Sequence, residues 1–165
     1  MCSSDLSDGD GDPVSRTYTV NVSGADDAPT LGVVTSGSVA EVEQSSTTTD
    51  NGLLSGTLVG ADVDGETLTY GIAEVAPSAG LSTLVGTYGT LTVTTAGAYS
   101  YARNPGAIEA LDAGESGSDS FTVTVSDGDG VPVSQTYTVN VSGADDAPTL
   151  GAVTAGAVAD RKSVV

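Results

Sequence analysis

The chain has 165 residues and a formal net charge of −18, with 22 acidic residues, 4 basic residues and no histidine. A chain this acidic repels nucleic acid and anionic membrane surfaces, and none of its apolar runs is long enough to span a bilayer, so neither nucleic-acid binding nor membrane insertion is expected. Without histidine there is no imidazole base and no histidine-ligated zinc, and we expect no enzyme.

The elements that the sequence predicts are almost all strands. Apolar residues alternate with hydroxyl-bearing residues along most of the chain, which is the period-two pattern of half-buried strands. In chain order this pattern predicts strands near 36–43, 53–60, 67–74, 81–85, 90–95, 98–103, 119–126 and 133–142, and one helical turn at 107–111. Glycine, aspartate, asparagine and proline fill the turns between them. The sequence therefore predicts an all-β fold, a two-sheet antiparallel sandwich.

The same stretch of sequence occurs twice, 119 residues apart. Residues 7–40 align with residues 126–159 over 34 positions, with five mismatches at 12, 16, 33, 36 and 38 and therefore 29 identities. Repetition at a fixed period is typical of arrays of similar units. We expect 7–27 to be the C-terminal end of one repeat, 28–146 a complete β-sandwich repeat, and 147–159 the start of the next. Residues 14–23 nearly match 133–142 and are able to compete with them for the same place in the sandwich.

The two ends, residues 1–6 and 160–165, do not belong to the repeat. Residues 1–6 are what a common sequencing adapter encodes and 160–165 are what the opposing adapter encodes, so we expect both ends to be non-native and the natural protein to be longer. These ends contain the only cysteine and the only lysine. The repeat itself therefore has neither a disulfide nor a Lys–Asn isopeptide bond available, which leaves metal ions as the candidate staple.

Acidic residues concentrate in the turns and junctions. They recur as Asp-Gly-Asp turns at 8–10 and 127–129, as Asp-Asp pairs in the junctions at 24–29 and 143–148, and as Ala-Asp-Val-Asp-Gly at 61–65. The candidate metal ligands are Asp8, Asp10, Asp26, Asp27, Glu41, Asp62, Asp64, Asp127, Asp129, Asp145 and Asp146. Hard divalent cations take about six to eight oxygen ligands, and Ca²⁺ accepts irregular geometry, so Ca²⁺ is the expected cofactor. The plainer alternative is that aspartate and glycine are simply good turn formers.

The most informative of these acids are expected at the joint between two units, where the junction of one sandwich meets a loop of the next. Four aspartates are expected to converge there, with Glu41 or Glu43 nearby. These four are Asp26, Asp27, Asp62 and Asp64. Without ions such clustered carboxylates repel one another, and with ions they would bridge two units and fix the angle between them.

Several blocks of the sequence resemble the VCBS-type repeat of large bacterial surface proteins, in the order in which that family has them. The blocks are Ala61–Tyr70, Tyr88–Val93, Gly97–Tyr101, Ala110–Glu115, Asp119–Gly128 and Gly143–Pro148. The family's junction usually reads Asn-Asp-Ala-Pro, whereas this chain has two aspartates before the alanine, which adds charge without removing an oxygen ligand. The resemblance implies a cadherin-like or immunoglobulin-like sandwich in tandem arrays of secreted Gram-negative adhesins, often delivered by type I secretion. By that similarity Asp26, Asp27, Asp62 and Asp64 would be calcium ligands between units.

The expected function is that of a structural spacer repeat in a long extracellular adhesin, stiffened by calcium at its joints. Its expected partners are the adjacent repeats of the same chain, with cell-surface glycan or protein bound through other domains. The expected location is the medium or the cell surface of a Gram-negative bacterium. The alternative is a unit that itself binds a glycan or a partner repeat, for which Tyr88 in a glycine-flanked turn is the candidate exposed aromatic. Glu109, Asp112 and Glu115 are expected to lie on the solvated surface rather than to catalyse a reaction.

Overall fold

The computed structural model describes residues 2–6, 9–11, 14–43, 45–49, 51–148 and 150–156, and it describes no side chains for 2–6, 14 and 45–49. Within these ranges the chain forms 13 strands and one short helix. In chain order they are β1 (Cys2–Leu6), β2 (Val14–Tyr18), β3 (Thr30–Leu31), β4 (Gly37–Val42), β5 (Ser45–Thr49), β6 (Ser55–Thr57), β7 (Gly60–Ala61), β8 (Thr69–Ile72), β9 (Leu81–Val85), β10 (Gly89–Thr94), β11 (Ala98–Arg103), α1 (Pro105–Ile108), β12 (Ser116–Ser126) and β13 (Val133–Ser142).

Two sheets form the body of the molecule, and the predicted all-β sandwich is confirmed. A five-stranded sheet has the order β5-β4-β13-β12-β8, and a four-stranded sheet has the order β6-β11-β10-β9. The two-residue strands β3 and β7 pair separately, and so do β1 and β2. One neighbouring pair, β4 with β13, is parallel, whereas the sequence predicted antiparallel pairing throughout. β4 and β13 lie near opposite ends of the sequence of the unit, and a pair this distant needs no hairpin turn, so parallel pairing is open to it.

The core consists of the inward-facing residues of both sheets, as the period-two alternation predicts. The fully buried side chains of β10, β12 and β13 include Leu91, Val93, Val123, Val125, Tyr137, Val139 and Val141. Aromatic rings bridge the two sheets, with the Tyr101 and Phe121 centroids 6.0 Å apart and the Tyr99 and Tyr137 centroids 5.1 Å apart. Burial of each such side chain contributes about 1.5–3 kcal/mol, so this core accounts for most of the stability of the sandwich.

A carboxylate lies inside this core. Asp119 of β12 is 5% exposed and accepts a hydrogen bond of 2.6 Å from the Tyr101 hydroxyl. Its oxygens also accept the backbone N–H groups of Thr87 at 2.7 Å and Tyr88 at 2.9 Å. A buried charge is tolerated when donors of this kind surround it. Asp119 therefore ties the turn between β9 and β10 to the opposite sheet.

The structure corrects several element boundaries. The strand predicted at 53–60 is divided into β6 and β7, and Leu53 before them has a left-handed φ of 54° that interrupts a regular strand. β3 and β5 were not predicted from the sequence. The predicted turn at 107–111 is α1, which begins earlier because Pro105 is preset for the first helical position. No helix among the described residues is long and apolar enough to cross a membrane.

The orphan copy of the last strand does not take the place of β13. Its residues Val14–Tyr18 form β2 and pair with β1 in the same relative register that joins β12 and β13. Tyr18, Val20 and Val22 are 73%, 64% and 89% exposed, whereas their repeat counterparts in β13 are 1%, 0% and 2% exposed. The same sequence is thus core in one copy and surface in the other, because only β13 has a complete sandwich to pack against.

The buried tyrosines predict that the fold loses stability in alkali. Burial raises the pKa of Tyr137 to about 12, and burial together with the hydrogen bond to Asp119 raises the pKa of Tyr101 above its ordinary value of 10.0. A tyrosine in the unfolded chain ionises near its ordinary pKa, so this contribution is fully present below that pH and is lost as the pH rises above it. We expect the urea midpoint to fall between about pH 9 and about pH 11.5, while Tyr101 and Tyr137 contribute tyrosinate absorbance only on unfolding. Equal midpoints at the two pH values would contradict this account.

Candidate metal centres

Acidic side chains gather at the two opposite ends of the sandwich. The ten residues of β13 run from one end to the other, a length of about 30 Å at about 3.3 Å per residue. The N-terminal cluster consists of Asp26, Asp27, Asp62, Asp64, Glu66, Asp127 and Asp129, and the C-terminal cluster consists of Glu41, Glu109 and Asp146. The name of each cluster refers to the end of the complete unit at which it lies.

The loop after β7 shapes one side of the N-terminal cluster. One oxygen of Asp62, Oδ1, accepts the backbone N–H groups of Asp64 at 2.8 Å, Gly65 at 2.9 Å and Glu66 at 3.3 Å. Gly65 has a φ of +78°, a left-handed conformation that glycine adopts without steric cost and that turns the chain back on itself. The other oxygen of Asp62, Oδ2, is buried and has no hydrogen-bond partner. The loop thus holds the carboxylate rigidly and leaves one oxygen available to a cation.

The turn between β12 and β13 supplies a second carboxylate in the same state. The Oδ1 atom of Asp127 accepts the backbone N–H of Asp129 at 2.8 Å, and its Oδ2 atom is buried without a partner. Carboxylate oxygens of Asp62, Glu66 and Asp127 lie within 4.8 Å of one another. Three carboxylates at this separation match the oxygen ligand set that hard divalent cations prefer.

The linker that precedes the unit completes the N-terminal cluster. The backbone N–H of Asp27 donates a hydrogen bond of 2.9 Å to Oδ2 of Asp64, which docks the linker on the loop. Asp26, Glu66 and Asp129 form a second group of carboxylate oxygens within 4.8 Å of one another. Glu66 belongs to both groups, so linker, loop and turn form one continuous acidic surface.

The electrostatics of this surface favour a bound cation. Loss of solvent around the carboxyl group raises the pKa of Asp26, and the negative charges of Asp127 and Asp129 raise it further. The pKa of Glu66 is raised by the same loss of solvent and then by the charges of Asp26 and Asp129. A raised carboxyl pKa means that the ionised form is destabilised by its surroundings. A divalent cation would relieve the same repulsion without protonation.

The C-terminal cluster is built around a buried glutamate. Glu41 is in β4, whose inward residues alternate with outward ones, and it is 7% exposed. Its Oε2 atom accepts the backbone N–H of Ala144 at 2.8 Å, and its Oε1 atom is buried without a partner. Burial of an ionised carboxylate destabilises the fold by roughly several kcal/mol unless a hydrogen-bond donor or a metal ion compensates it.

Two further acids face Glu41. Glu109 follows α1 and has a buried Oε1 atom without a hydrogen-bond partner, and Asp146 is in the linker that follows β13. Carboxylate oxygens of the three lie within 4.8 Å of one another. Loss of solvent, and then the charges of Glu41 and Asp146, raise the pKa of Glu109. This donor set contains only carboxylate oxygens, so it fits Ca²⁺ or Mg²⁺ rather than a soft metal.

The structure brings the candidate ligands together in a different grouping from the one expected. Asp26, Asp27, Asp62 and Asp64 do converge, but Glu41 lies at the opposite end of the unit and Glu43 is exposed outside both clusters. The difference arises because β4 places Glu41 beside the end of β13, one strand length away from the loops. Of the remaining candidates, Asp127, Asp129 and Asp146 lie in the clusters. Asp10 belongs to neither cluster, and Asp145 is exposed outside both. Asp8 lies outside the described residues.

Two ligand candidates were missed from the sequence. Glu66 follows the Asp-Val-Asp-Gly loop directly, and the left-handed Gly65 returns it toward Asp62. A glycine directly before this glutamate is visible in the sequence and could have indicated the turn. Glu109 was expected on the solvated surface, and the structure instead buries its Oε1 atom in the C-terminal cluster. Ile108, which is fully buried, anchors the helical turn that places Glu109 there.

Tyr88 is not the exposed aromatic that a glycan site would need. Its ring is half-buried and packs against the core, and a side chain at Gly117 would overlap it. Its backbone N–H is held by Asp119. The sequence pattern indicated an exposed Tyr88 because glycines flank the turn, whereas in the structure the turn is folded inward.

Comparison with known proteins gave a family match, which covers both sheets of the sandwich. The family model described as the bacterial cadherin-like domain matches residues 26–143, from the acidic linker before the sandwich to the residue after β13. Comparison with curated proteins gave no match. Bacterial cadherin-like domains are typically extracellular structural or adhesive modules rather than enzymes. The match covers well over half of the chain, which therefore belongs to the bacterial cadherin-like domain family.

Proposed function

We propose that the chain is a spacer unit of an extracellular array, and that calcium ions bound where consecutive units meet fix the angle between them. The observation that carries this proposal is the division of the linker acids between the two clusters. The carboxylate of Asp146 lies against the unit before its linker, and the carboxylate of Asp26 lies against the unit after its linker.

The division follows from the repeat. Asp145 and Asp146 occupy the same repeat positions as Asp26 and Asp27, 119 residues further on. Asp146 joins the C-terminal cluster of its own unit, while Asp26, the counterpart of Asp145, joins the N-terminal cluster of the unit that follows it. In an array each linker therefore presents one carboxylate to either side. The C-terminal cluster of one unit and the N-terminal cluster of the next then form a single site.

The ligand inventory of such a joint suits more than one calcium ion. In an array Asp146 of one unit is the same linker position as Asp27 of the next, so the two clusters together bring about nine carboxylates to one joint, whereas a single Ca²⁺ takes about six to eight oxygens. The clusters combine side-chain oxygens on turns, a strand and a linker, an irregular set that Ca²⁺ accepts more readily than the strictly octahedral Mg²⁺. Extracellular calcium modules bind at about 10⁻⁴–10⁻³ M, which matches calcium concentrations outside the cell.

The mechanism is electrostatic. Without cations the carboxylates on the two sides of the joint repel one another, and the units turn apart about the linker. With cations bound, the same carboxylates become shared ligands, and one orientation is favoured over the rest. The proline at the end of the junction restricts the residue before it to extended conformations, which limits the angles the joint has to choose from.

The array context extends this proposal. The complete unit is taken as 28–146, with boundaries in the linkers, and its partners are the adjacent repeats of the same chain. The rod that results is a spacer in an adhesin at the surface of, or secreted by, a Gram-negative bacterium. Adhesive contacts with cell-surface glycan or protein are made by other domains. The family membership and the acidic clusters support this context.

Replacing Glu41 by glutamine tests calcium binding at the C-terminal cluster. The amide keeps an oxygen for the Ala144 N–H, so the fold is retained, but the ligand charge is lost. We expect calorimetric titration of the full chain to show calcium affinity at this cluster reduced by at least about tenfold, equivalent to about 1.4 kcal/mol. In chelator the variant should be as stable as the original or more so, because a buried unpaired charge has been removed.

The matched control is Glu43→Gln, which also removes one negative charge, but from an exposed side chain two residues away from Glu41. Its calcium titration should match that of the original chain. If Glu41→Gln and Glu43→Gln bind calcium equally, the C-terminal cluster is not a calcium site.

A further inference from the structure

The charged residues of the unit are unevenly distributed, and one sheet is left almost neutral. The 28 consecutive residues from Val75 to Ala102 contain no charged side chain, although the chain has 26 charged residues among 165. This stretch contains β9, β10 and all of β11 except Arg103. Since β6 is also uncharged, Arg103 is the single charged residue in the four strands of that sheet.

The edge strand of this sheet has an unpaired side. β9 is the last strand in the order β6-β11-β10-β9, and no other described strand pairs with it. Bonds from Gly86 to Gly89 and from Thr95 to Gly80 show that even-numbered residues of β9 direct their backbone groups toward β10. The odd-numbered residues therefore direct theirs away from the sheet. Leu81 bonds back to Ser78, which leaves Thr83 and Val85 with outward N–H and C=O groups.

β9 also lacks the features that usually protect an edge. Edge strands are commonly guarded by charges, proline or bulges, and β9 has the sequence Leu-Ser-Thr-Leu-Val and a regular register with β10. Leu81, Leu84 and Val85 are 43%, 38% and 74% exposed. A neutral, β-favouring, partly apolar edge of this kind is a template for strand addition.

We propose that β9 is the edge through which two copies of this chain pair side by side. In an antiparallel arrangement centred on Leu84, Thr83 of each copy lies opposite Val85 of the other, and their outward groups form four N–H···O=C bonds. The two Leu84 side chains then face each other at the centre. The pairing extends the four-stranded sheet into one of eight strands across a two-fold axis.

The neutral edge and its self-complementary sequence fit a second copy of this chain. Each copy has a net charge of −18, so two copies repel strongly wherever acidic ends meet. The β9 edge lies along the neutral sheet, away from both clusters, and is the face where like-charged copies approach at least electrostatic cost. Its sequence is complementary to itself, with small and apolar residues on both sides of Leu84.

The antiparallel orientation of the paired β9 strands fixes how two arrays lie against each other. Antiparallel pairing of β9 makes the two units point in opposite directions, so a repeated contact joins rods that extend toward each other. One contact is small, and repetition along two arrays multiplies it through effective concentration. The pairing does not depend on calcium at the linkers.

The test is sedimentation equilibrium of the full chain over a wide concentration range at low and high salt. We expect reversible dimers that become tighter as salt screens the mutual repulsion. Thr83→Pro removes the outward N–H without removing a bond to β10, and Val85→Glu places a charge on an exposed edge position. Each should raise the dimer dissociation constant by at least about tenfold.

The matched control is Thr92→Glu, which adds the same charge on the neighbouring strand, where the Thr92 hydroxyl lies 3.3 Å from that of Thr83. It should leave the dissociation constant within about twofold of the original. A chain that stays monomeric up to millimolar concentration at high salt overturns the proposal. So does a dimer that Thr83→Pro and Val85→Glu weaken no more than Thr92→Glu does, because that dimer forms elsewhere, for example through exposed Tyr18.

Discussion

Replacement of Asp119 by alanine is expected to lower the free energy of unfolding by about 3 kcal/mol or more, one of the largest effects available to a single substitution in this chain. The change leaves three donors without their acceptor, which are the N–H groups of Thr87 and Tyr88 and the hydroxyl of Tyr101. It also opens a cavity between the sheets. Because domains of this size are stable by only about 5–15 kcal/mol, the loss should be visible as a large shift of the urea midpoint.

Two further variants separate the role of the carboxylate from that of its position. Asp119→Asn keeps the volume but sets an amide N–H₂ group against the backbone donors, and it should be destabilised by an intermediate amount. Ser118→Ala changes the adjacent, exposed residue of the same strand and should shift stability by no more than about 0.5 kcal/mol. Equal urea midpoints for Asp119→Ala and Ser118→Ala would show that the buried carboxylate does not support the turn.

The regular strands could be predicted because their side chains alternate. β9, β11 and β13 lie where the pattern predicts them, at Leu81–Val85, Ala98–Arg103 and Val133–Ser142. In β11 and β13 the inward side chains pack against the opposite sheet and the outward ones are polar or small, so burial and sequence period agree. In β9 the agreement is weaker, because Ser82 is buried while Leu81 and Val85 are exposed. The same agreement makes the two-sheet sandwich predictable without coordinates.

The strands that were missed have no such pattern. β5 has the sequence Ser-Ser-Thr-Thr-Thr, which contains no apolar residue to alternate with. β3 has two residues, and it exists because the backbone groups of Thr30 and Leu31 find partners in Gly60 and Ala61 of β7. Such short pairings are decided by the tertiary fold rather than by local sequence.

The candidate metal centres were predictable only in part, for a related reason. The Asp-rich turns and the Asp-Asp linkers are visible in the sequence, and turn chemistry indicates that they lie at the ends of strands. Glu41 and Glu109 are single glutamates with no local motif, and the fold brings them together from residues 68 positions apart. Assignment of each acid to an end of the unit required the order of strands, above all the parallel pair of β4 and β13.

A protein made of two consecutive units is expected to respond to calcium far more strongly than the single unit does. Its one internal joint unites a C-terminal cluster with an N-terminal cluster, whereas its outer ends keep half-sites. A site filled at about one hundred times its dissociation constant adds about 2.7 kcal/mol of stability, so several ions at the joint should raise the thermal midpoint by many degrees. Chelator should reverse the effect completely.

Placing Glu41→Gln in the first or in the second unit of this protein shows whether the calcium response arises at the internal joint. Glu41→Gln in the first unit removes a ligand from the internal joint, while the same change in the second unit removes it from a free end. Only the first should abolish the calcium response of the joint. Magnesium at equal concentration should give a weaker response, because the mixed ligand set is not octahedral.

Small-angle scattering of this two-unit protein, with calcium and with chelator, tests the central claim most directly. The account predicts a longer maximum dimension and a narrower distance distribution in calcium, both lost on chelation and both lost when Glu41→Gln is placed in the first unit. Scattering curves that coincide with and without calcium would contradict the claim that shared ions stiffen the joint.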